Sequence, residues 1–287
     1  MKKAFWTYIF GLILFGSNGV AASCIHLTSQ QIVLLRTLLG FALLVVLYFA
    51  TGHQLTAGQH KRDCAFLALS GVAMGADWML VFEAYDQIGI GLSTIINYCG
   101  PILVIVTAPL FFRERLTWQK GLALAIAMAG ACLISGQTAA AGGSVWGLVC
   151  AGLSAVTYAV LVISNKMSKH IVGMENALIQ MGFTLVTVVI FVGFRGGLAM
   201  DIPAGDWPFL LWLGLLNTGV GCFCYFATIG ALPAHTVAIC GYLEPISAVV
   251  FSRIILREVI SPVQLVGILL ILGGAIFGER ASGAEGC

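Results

Sequence analysis

Charge is scarce in this chain. Only 9% of its 287 residues are Asp, Glu, Lys or Arg, against about 25% in a soluble domain, which excludes a globular fold with water as its main solvent. Net charge is +2, too small to point to a nucleic-acid partner, so the basic residues matter by position rather than number. The nine cysteines form no CxxC pair. The nearest two, Cys222 and Cys224, face different directions on a helix, and Cys99, Cys132, Cys150 and Cys240 lie in apolar runs as small filler. Histidines such as His26, His53, His60 and His170 fall mostly in short connecting segments. No metal site, cofactor or catalytic residue is expected. Alternating apolar and polar residues are also missing, which excludes a transmembrane β-barrel. No connection is long enough to form a separate soluble domain.

Apolar residues make up 60% of the chain, and the mean hydropathy is +1.01. A helix crossing a ~30 Å hydrocarbon core needs about 20 mostly apolar residues. That ruler gives ten expected spans, at 5–22, 30–50, 64–84, 90–112, 118–136, 145–165, 176–194, 207–228, 235–256 and 262–278. The fold class is an all-α membrane protein, because only helices satisfy the backbone in lipid over such runs. The small polar tail, 279–287, is expected to be disordered. Met1-Lys2-Lys3 before an apolar run resembles a signal peptide, and Ala21-Ala22-Ser23-Cys24 a lipoprotein cleavage site. Gly11 and Gly16 recur as Gly147 and Gly152, so the segment is expected to be retained as one member of a duplicated pair.

One stretch occurs twice. Tyr98, Pro101, Arg113, Glu114, Thr117 and Gly130 recur as Tyr242, Pro245, Arg257, Glu258, Ser261 and Gly274, each pair 144 positions apart. A constant offset across several residue types marks an internal repeat. It divides the chain into five-helix halves, 5–136 and 145–278. With Lys2 and Lys3 in the cytoplasm, Lys61, Arg62, Arg113, Arg115, Lys120, Lys166, Lys169 and Arg280 also fall inside, and only Arg195, Arg253 and Arg257 outside. Both termini are then cytoplasmic. Five is an odd number, so the second half is inverted relative to the first, with a pseudo-two-fold axis in the membrane plane.

Charges within spans are costly, about 2.5–3.5 kcal/mol each at mid-membrane, and are functional candidates by default. Arg36, Asp77 and Glu244 stand out. Arg36 and Asp77 lie at similar depth and are expected to pair, either as a fixed tie between helices or as a substrate or proton site. Glu244, directly before Pro245, reads either as a proton-titrating group or as a group bonding helix ends. Pro101 and Pro245 each interrupt the fourth helix of a half, and paired kinks there are expected to line a cavity. Trp78, Asn97, Tyr98, Tyr158, Gln180, Tyr225 and Tyr242 complete a candidate lining, with Gln180 standing in the second half where Arg36 stands in the first. Glu83 and Asp86, near a span end, are expected to be solvated. Gly71 and Gly75 form a GxxxG for close helix packing. Trp6, Trp118, Trp146, Trp207 and Trp212 read as interfacial anchors.

The segments Tyr98-Cys99-Gly100-Pro101 to Arg113-Glu114-Arg115-Leu116-Thr117, and Leu243-Glu244-Pro245 to Arg257-Glu258-Val259-Ile260-Ser261, resemble the EamA family of the drug/metabolite transporter superfamily over 5–278. The resemblance implies a multi-pass carrier of the bacterial inner membrane with a central cavity, often an exporter of amino acids or related metabolites. Its partners would be the bilayer, a small-molecule substrate and, as a coupling ion, protons through Asp77 or Glu244; facilitated diffusion is equally compatible. Buried Lys and Arg for a phosphate cargo are lacking apart from Arg36. Alternatives are import or exchange of a vitamin, purine, sugar or drug, and a non-transporting sensor or assembly protein. An intramembrane hydrolase would need a nucleophile and base at one depth; Ser135 and His235 lie in different halves without a motif. Reporter fusions at Glu114 and Glu258 are expected to sit on opposite faces of the bilayer; finding both on one face would reject the inverted arrangement.

Overall fold

A computed structural model describes residues 2–52, 55–88, 90–112, 117–135, 144–195, 200–257 and 261–283. Among them every regular element is helical. Arg113, Glu114, Arg115 and Glu258 of the duplicated motif lie outside the described residues.

Helix α1 (Lys2–Gly16) gives way at Ser17 to α2 (Asn18–Ser23). Thr28 then opens α3 (Ser29–Ala50) with a capping box: its hydroxyl accepts from Gln31 N, and its own N–H donates to the Gln31 side chain. Next come α4 (Lys61–Ile88), α5 (Ile90–Asn97), α6 (Gly100–Phe112) and α7 (Trp118–Ser135). The second half holds α8 (Val145–Met167), α9 (Gly173–Phe194), α10 (Trp207–Leu211), a π-helical segment Trp212–Gly221, and α11 (Cys222–Ile229). It closes with α12 (Ala234–Gly241), α13 (Leu243–Phe251), a second π turn Ser252–Leu256, and α14 (Pro262–Gly283). Helix α14 runs beyond residue 279, where the tail was expected to begin.

Seven helical segments among the described residues are long and apolar enough to cross a membrane. Three more, Gly100–Phe112, Trp118–Leu133 and Leu265–Gly274, are apolar but shorter. The expected span 90–112 falls short because it is broken. Tyr98 N still donates to Thr94 O, but Cys99 N reaches back only to Ile96 O, and α6 starts afresh. Pro101 stands in the first turn of α6, where its missing N–H matters least, so the expected kink takes the form of a break. Pro245 stands likewise at the start of α13, after Tyr242. The proline inside α6 is Pro109.

Packing is reciprocal under the 144-residue offset. Helix α8 lies against α6 as α1 lies against α13; α9 lies against α4 as α3 lies against the π segment; α7 and α14 pair with each other. Small residues let backbones touch. A Cβ on Gly130 would meet Gly267 O at 2.5 Å, and one on Gly71 would meet Gln180 O at 2.5 Å. Side chains such as Phe49, Leu110, Trp118 and Phe194 point outward, giving an apolar exterior. Of the tryptophans, Trp6, Trp118, Trp146 and Trp207 are exposed.

The largest apolar cluster draws on eight helices. Tyr8, Tyr48, Met74, Ala108, Val162, Met181, Phe226 and Val237 come from α1, α3, α4, α6, α8, α9, α11 and α12 in turn. It lies toward the end where Lys166 donates to the carbonyls of Ile229 and Leu232 beneath the Phe112 ring. Toward the other end, the clusters around Ile32, Val188 and Ile88 each join only neighbouring helices. Gly130→Val is expected to destabilise the protein by about 1–3 kcal/mol through overpacking, read as a lower thermal unfolding midpoint in detergent; an unchanged midpoint would show that α7 and α14 are not locked there.

Candidate functional site

The two helix breaks meet. Tyr242 donates its hydroxyl to the backbone carbonyl of Tyr98 at 2.8 Å, and the twin rings stand 5.7 Å apart. Prolines at 101 and 245 have no N–H with which to bond back to the carbonyls of Asn97 and Gly241.

Around them lies a charged cluster. Glu244, in the first turn of α13, is half-buried. It is within electrostatic reach of Arg36, Asp77, Tyr85, Tyr98, Tyr158, Tyr225 and Tyr8. Among the described residues, nothing donates a hydrogen bond to its carboxylate. Asp77 is 7% exposed and accepts from Asn97 Nδ2 at 3.2 Å; the same amide nitrogen lies 3.0 Å from Ser154 Oγ.

Arg36 and Asp77 do not form the expected ion pair; among the described residues no carboxylate lies within 4.0 Å of the guanidinium. Arg36 instead lies flat on Trp78, with Cζ 4.4 Å from the ring centroid, and donates Nε–H to Thr218 Oγ1 at 3.0 Å. Depth along two helices constrained the heights of Arg36 and Asp77 but not the directions in which they face. The indole beside Asp77 takes the place of the carboxylate. Thr218 is held in turn by the π segment, donating to Leu213 O five residues back at 2.8 Å.

Tyr8, Tyr158 and Tyr225 form an aromatic wall. Tyr8 and Tyr225 have ring centroids 5.1 Å apart, and Tyr8 donates to Val237 O at 3.0 Å. The buried Tyr225 hydroxyl lies close to those of Tyr8 and Tyr158. A Cβ on Gly100 would meet the Tyr158 ring at 2.7 Å, so glycine there lets the wall close.

Gln180 belongs elsewhere. It is fully buried, accepts from Asn165 Nδ2 at 3.2 Å, and its Nε2 lies 3.7 Å from Met74 Sδ. Residues 180 and 74 are the 144-offset twins of 36 and 218, so the repeat reproduces the Arg36–Thr218 contact with a different chemistry. Sequence reasoning did not single out Tyr8, Ser17, Asn217 or Thr218. Asn217, fully buried, donates to Ser17 Oγ at 2.8 Å and Asn18 Oδ1 at 2.9 Å, bridging the break in α1 to the π segment. The adjacent polar pair Asn217-Thr218 inside an apolar run was the available signal.

Glu83, expected to be solvated, is 9% exposed, pairs with Arg195 Nη1 at 2.6 Å and accepts from Trp146 Nε1 at 3.3 Å. It ties α4 to α8 and to the end of α9. His26 with Asp206, and His170 with Asp63, make further contacts between connecting segments. The side chain of Ser135 lies outside the described residues; His235 is buried at the start of α12. A groove of about 400 Å³ between α6 and α7 is lined by apolar residues such as Ile102, Val106, Leu124 and Met128, with none of the candidate polar residues.

A bundle with an apolar outside and buried charges at broken helices defines a polytopic helical membrane protein. The sequence profile of the EamA-like transporter family matches residues 2–136 and again 145–278, and the chain belongs to that family. It is 24% identical over 271 residues to an uncharacterized transporter, YxxF, of Bacillus subtilis, covering 93% of this chain and 86% of that one. It is 26% identical to a probable terminal-alkyne amino-acid exporter of Streptantibioticus cattleyicolor, covering 82% and 80%. With a biotin transporter of Escherichia coli it shares 25% identity over 86% and 82%. A solved crystal structure superposes with a TM-score of 0.82 at 17% identity, covering 96% of this chain and 98% of the other, which shows the fold. The family and these relatives point to a transporter and not an enzyme.

In a double-mutant cycle, Glu83→Gln and Arg195→Gln are expected to couple by about 0.5–3 kcal/mol in unfolding free energy; strict additivity would show that the pair contributes nothing.

Proposed function

We propose that this chain is a secondary transporter of a small organic metabolite, amino-acid-like by preference and moved in the export direction across a bacterial inner membrane. In this reading ten spans form two inverted five-helix halves, 5–136 and 145–278, with both termini cytoplasmic. The observation that carries it is the meeting of the twin breaks, Tyr98 with Tyr242, beside a buried cluster to which both halves contribute: Arg36 and Asp77 from one, Glu244 from the other. Discontinuous helices meeting at a repeat interface suit a binding site that opens alternately to the two faces. The eight-helix apolar cluster is then the seal on the cytoplasmic side, with Lys166 among its outermost ties.

Relatives named as an amino-acid exporter and as a biotin transporter support a small organic cargo, and the former supports amino-acid export. One intramembrane arginine favours a single anionic group over a phosphate. Proton coupling through Glu244 or Asp77 is part of the proposal, because both carboxylates stand within apolar helices and Glu244 is within electrostatic reach of Arg36 and Asp77.

Proteoliposomes loaded with unlabelled amino acids are expected to accumulate the labelled form by counterflow, and Glu244→Gln to cut that exchange at least tenfold while the protein stays monodisperse. Overproduction is expected to protect cells against a toxic amino-acid analogue. No counterflow of amino acids, biotin or any other small solute tested would reject transport itself.

A further inference from the structure

In one turn the second copy of the repeat holds a residue more than the first. Asp63 accepts His170 N–H at 2.6 Å and lies 2.9 Å from its Nδ1, as Asp206 accepts His26 N–H at 2.7 Å and lies 2.9 Å from its Nδ1. The two histidines are 144 positions apart, but the two aspartates 143. The glycines behave alike. A Cβ on Gly71 would meet Phe183 Cβ at 2.6 Å, and one on Gly214 would meet Leu39 Cβ at 2.5 Å; Leu39 and Phe183 are 144 apart, Gly71 and Gly214 143. Beyond this point the full offset returns. A Cβ on Gly75 would meet Thr187 at 2.7 Å and one on Gly219 would meet Leu43 at 2.6 Å, with both pairs of twins 144 apart. Val72, Ala73 and Met74 therefore span between the first two glycines what Leu215, Leu216, Asn217 and Thr218 span between the second. The extra residue accounts for the winding: α4 is α-helical throughout, whereas Trp212–Gly221 is π-helical.

A second irregularity faces the first. Helix α1 breaks at Ser17, while its counterpart α8 runs unbroken through Leu161. Asn217 joins the two irregular turns, donating to Ser17 Oγ at 2.8 Å and to Asn18 Oδ1 at 2.9 Å. In the regular pair, Ser70 donates instead to the Leu161 carbonyl at 2.8 Å.

We infer that the π segment is a hinge: its wide turn slides along the helix and α1 bends with it at Ser17, while α4 and α8 stay straight. The inference goes beyond the transporter reading and names the pair of helices that deforms. A residue in excess of the α-helical count is taken up in one wide turn. Each step of that turn carries a residue about 1.5 Å along the axis without unfolding the helix. The surrounding contacts can follow such steps. Gly214 and Gly219 present bare backbone to Leu39 and Leu43, and the ties from Asn217 to α1 and α2 are side-chain hydrogen bonds. The two ends of the segment hold different partners: Asp206, just before α10, clasps His26, and Thr218 takes Arg36 Nε–H at 3.0 Å. Sliding of the wide turn changes the spacing between Arg36 and the His26–Asp206 clasp. A straight α4 holds Gln180 and the His170–Asp63 clasp at a fixed spacing.

Hydrogen–deuterium exchange of the full-length protein in detergent, resolved by peptide, compares each deforming segment with its twin. Amides of 212–221 are expected to exchange at least threefold faster than those of 68–77, and those of 17–23 at least threefold faster than those of 161–167. A smaller difference at either pair would overturn the inference. Deleting Leu215 restores the glycine spacing of α4 while keeping Asn217 and Thr218, and is expected to slow exchange in 212–221 at least threefold. A folded deletion variant that still exchanges at the wild-type rate would overturn the hinge. Asn217→Ala is expected to speed exchange in both 17–23 and 212–221; a change confined to one of them would show that the two turns do not bend together. If the deletion variant does not fold, the wild-type and Asn217→Ala comparisons decide. None of these measurements needs a substrate. Failed counterflow would therefore reject transport and leave the hinge standing, while equal exchange in the twins would reject the hinge and leave transport standing.

Discussion

Every peptide group in a lipid-facing bundle must find its hydrogen bond within the protein, and broken helices strain that requirement most. Here two helices are interrupted, at Tyr98–Cys99 and at Tyr242, and the second break supplies a donor to the first. The Tyr242 hydroxyl satisfies the Tyr98 carbonyl while the rings pack at 5.7 Å. Because the two residues are repeat twins, this contact lies where the halves face one another. The rest of the site is arranged around it: Glu244 follows one break, Asn97 precedes the other, and Asn97 holds Asp77.

Duplication explains the scaffold but not the charges. Under the 144-residue offset, Asp77 corresponds to Gly221, Glu244 to Gly100 and Arg36 to Gln180. Two of these twins are glycines at close contacts: Gly221 under Phe15 and Gly100 under the Tyr158 ring. The third, Gln180, keeps the geometry of the Arg36–Thr218 contact but uses it to tie Asn165 and Met74 into helix packing. A symmetric frame therefore carries an asymmetric set of charges.

Polar ties at the helix ends complement this centre. Glu83 with Arg195 and Trp146 closes one end of the α4–α8–α9 group; Asp63 with His170, and Glu175 with the Thr56–Ala57 backbone, close the other. The carboxylates of these contacts sit near helix ends and are buried, so each one ties a helix end to a neighbouring segment. The apolar clusters are unequal. One cluster joins side chains from eight helices, while those around Ile32, Val188 and Ile88 join only neighbouring ones.

Membrane class, helical architecture, the internal repeat, the Pro101 and Pro245 interruptions and the placing of Arg36, Asp77 and Glu244 within apolar segments were legible in the amino-acid order. Hydropathy, offset and the cost of intramembrane charge act along the chain and leave a one-dimensional trace. The pairings were not legible. Arg36 chose Trp78 and Thr218 over Asp77, Glu83 was buried against Arg195, and Gln180 left the central cluster for Asn165. Each of those outcomes depends on which way a side chain turns about its helix and on which distant helix stands beside it. Residues 36 and 218 are 182 positions apart, and the π segment that presents Thr218 leaves no periodic signature in the sequence. Depth is written in the chain; facing direction is decided only when the apolar segments pack and each buried polar group must find a partner.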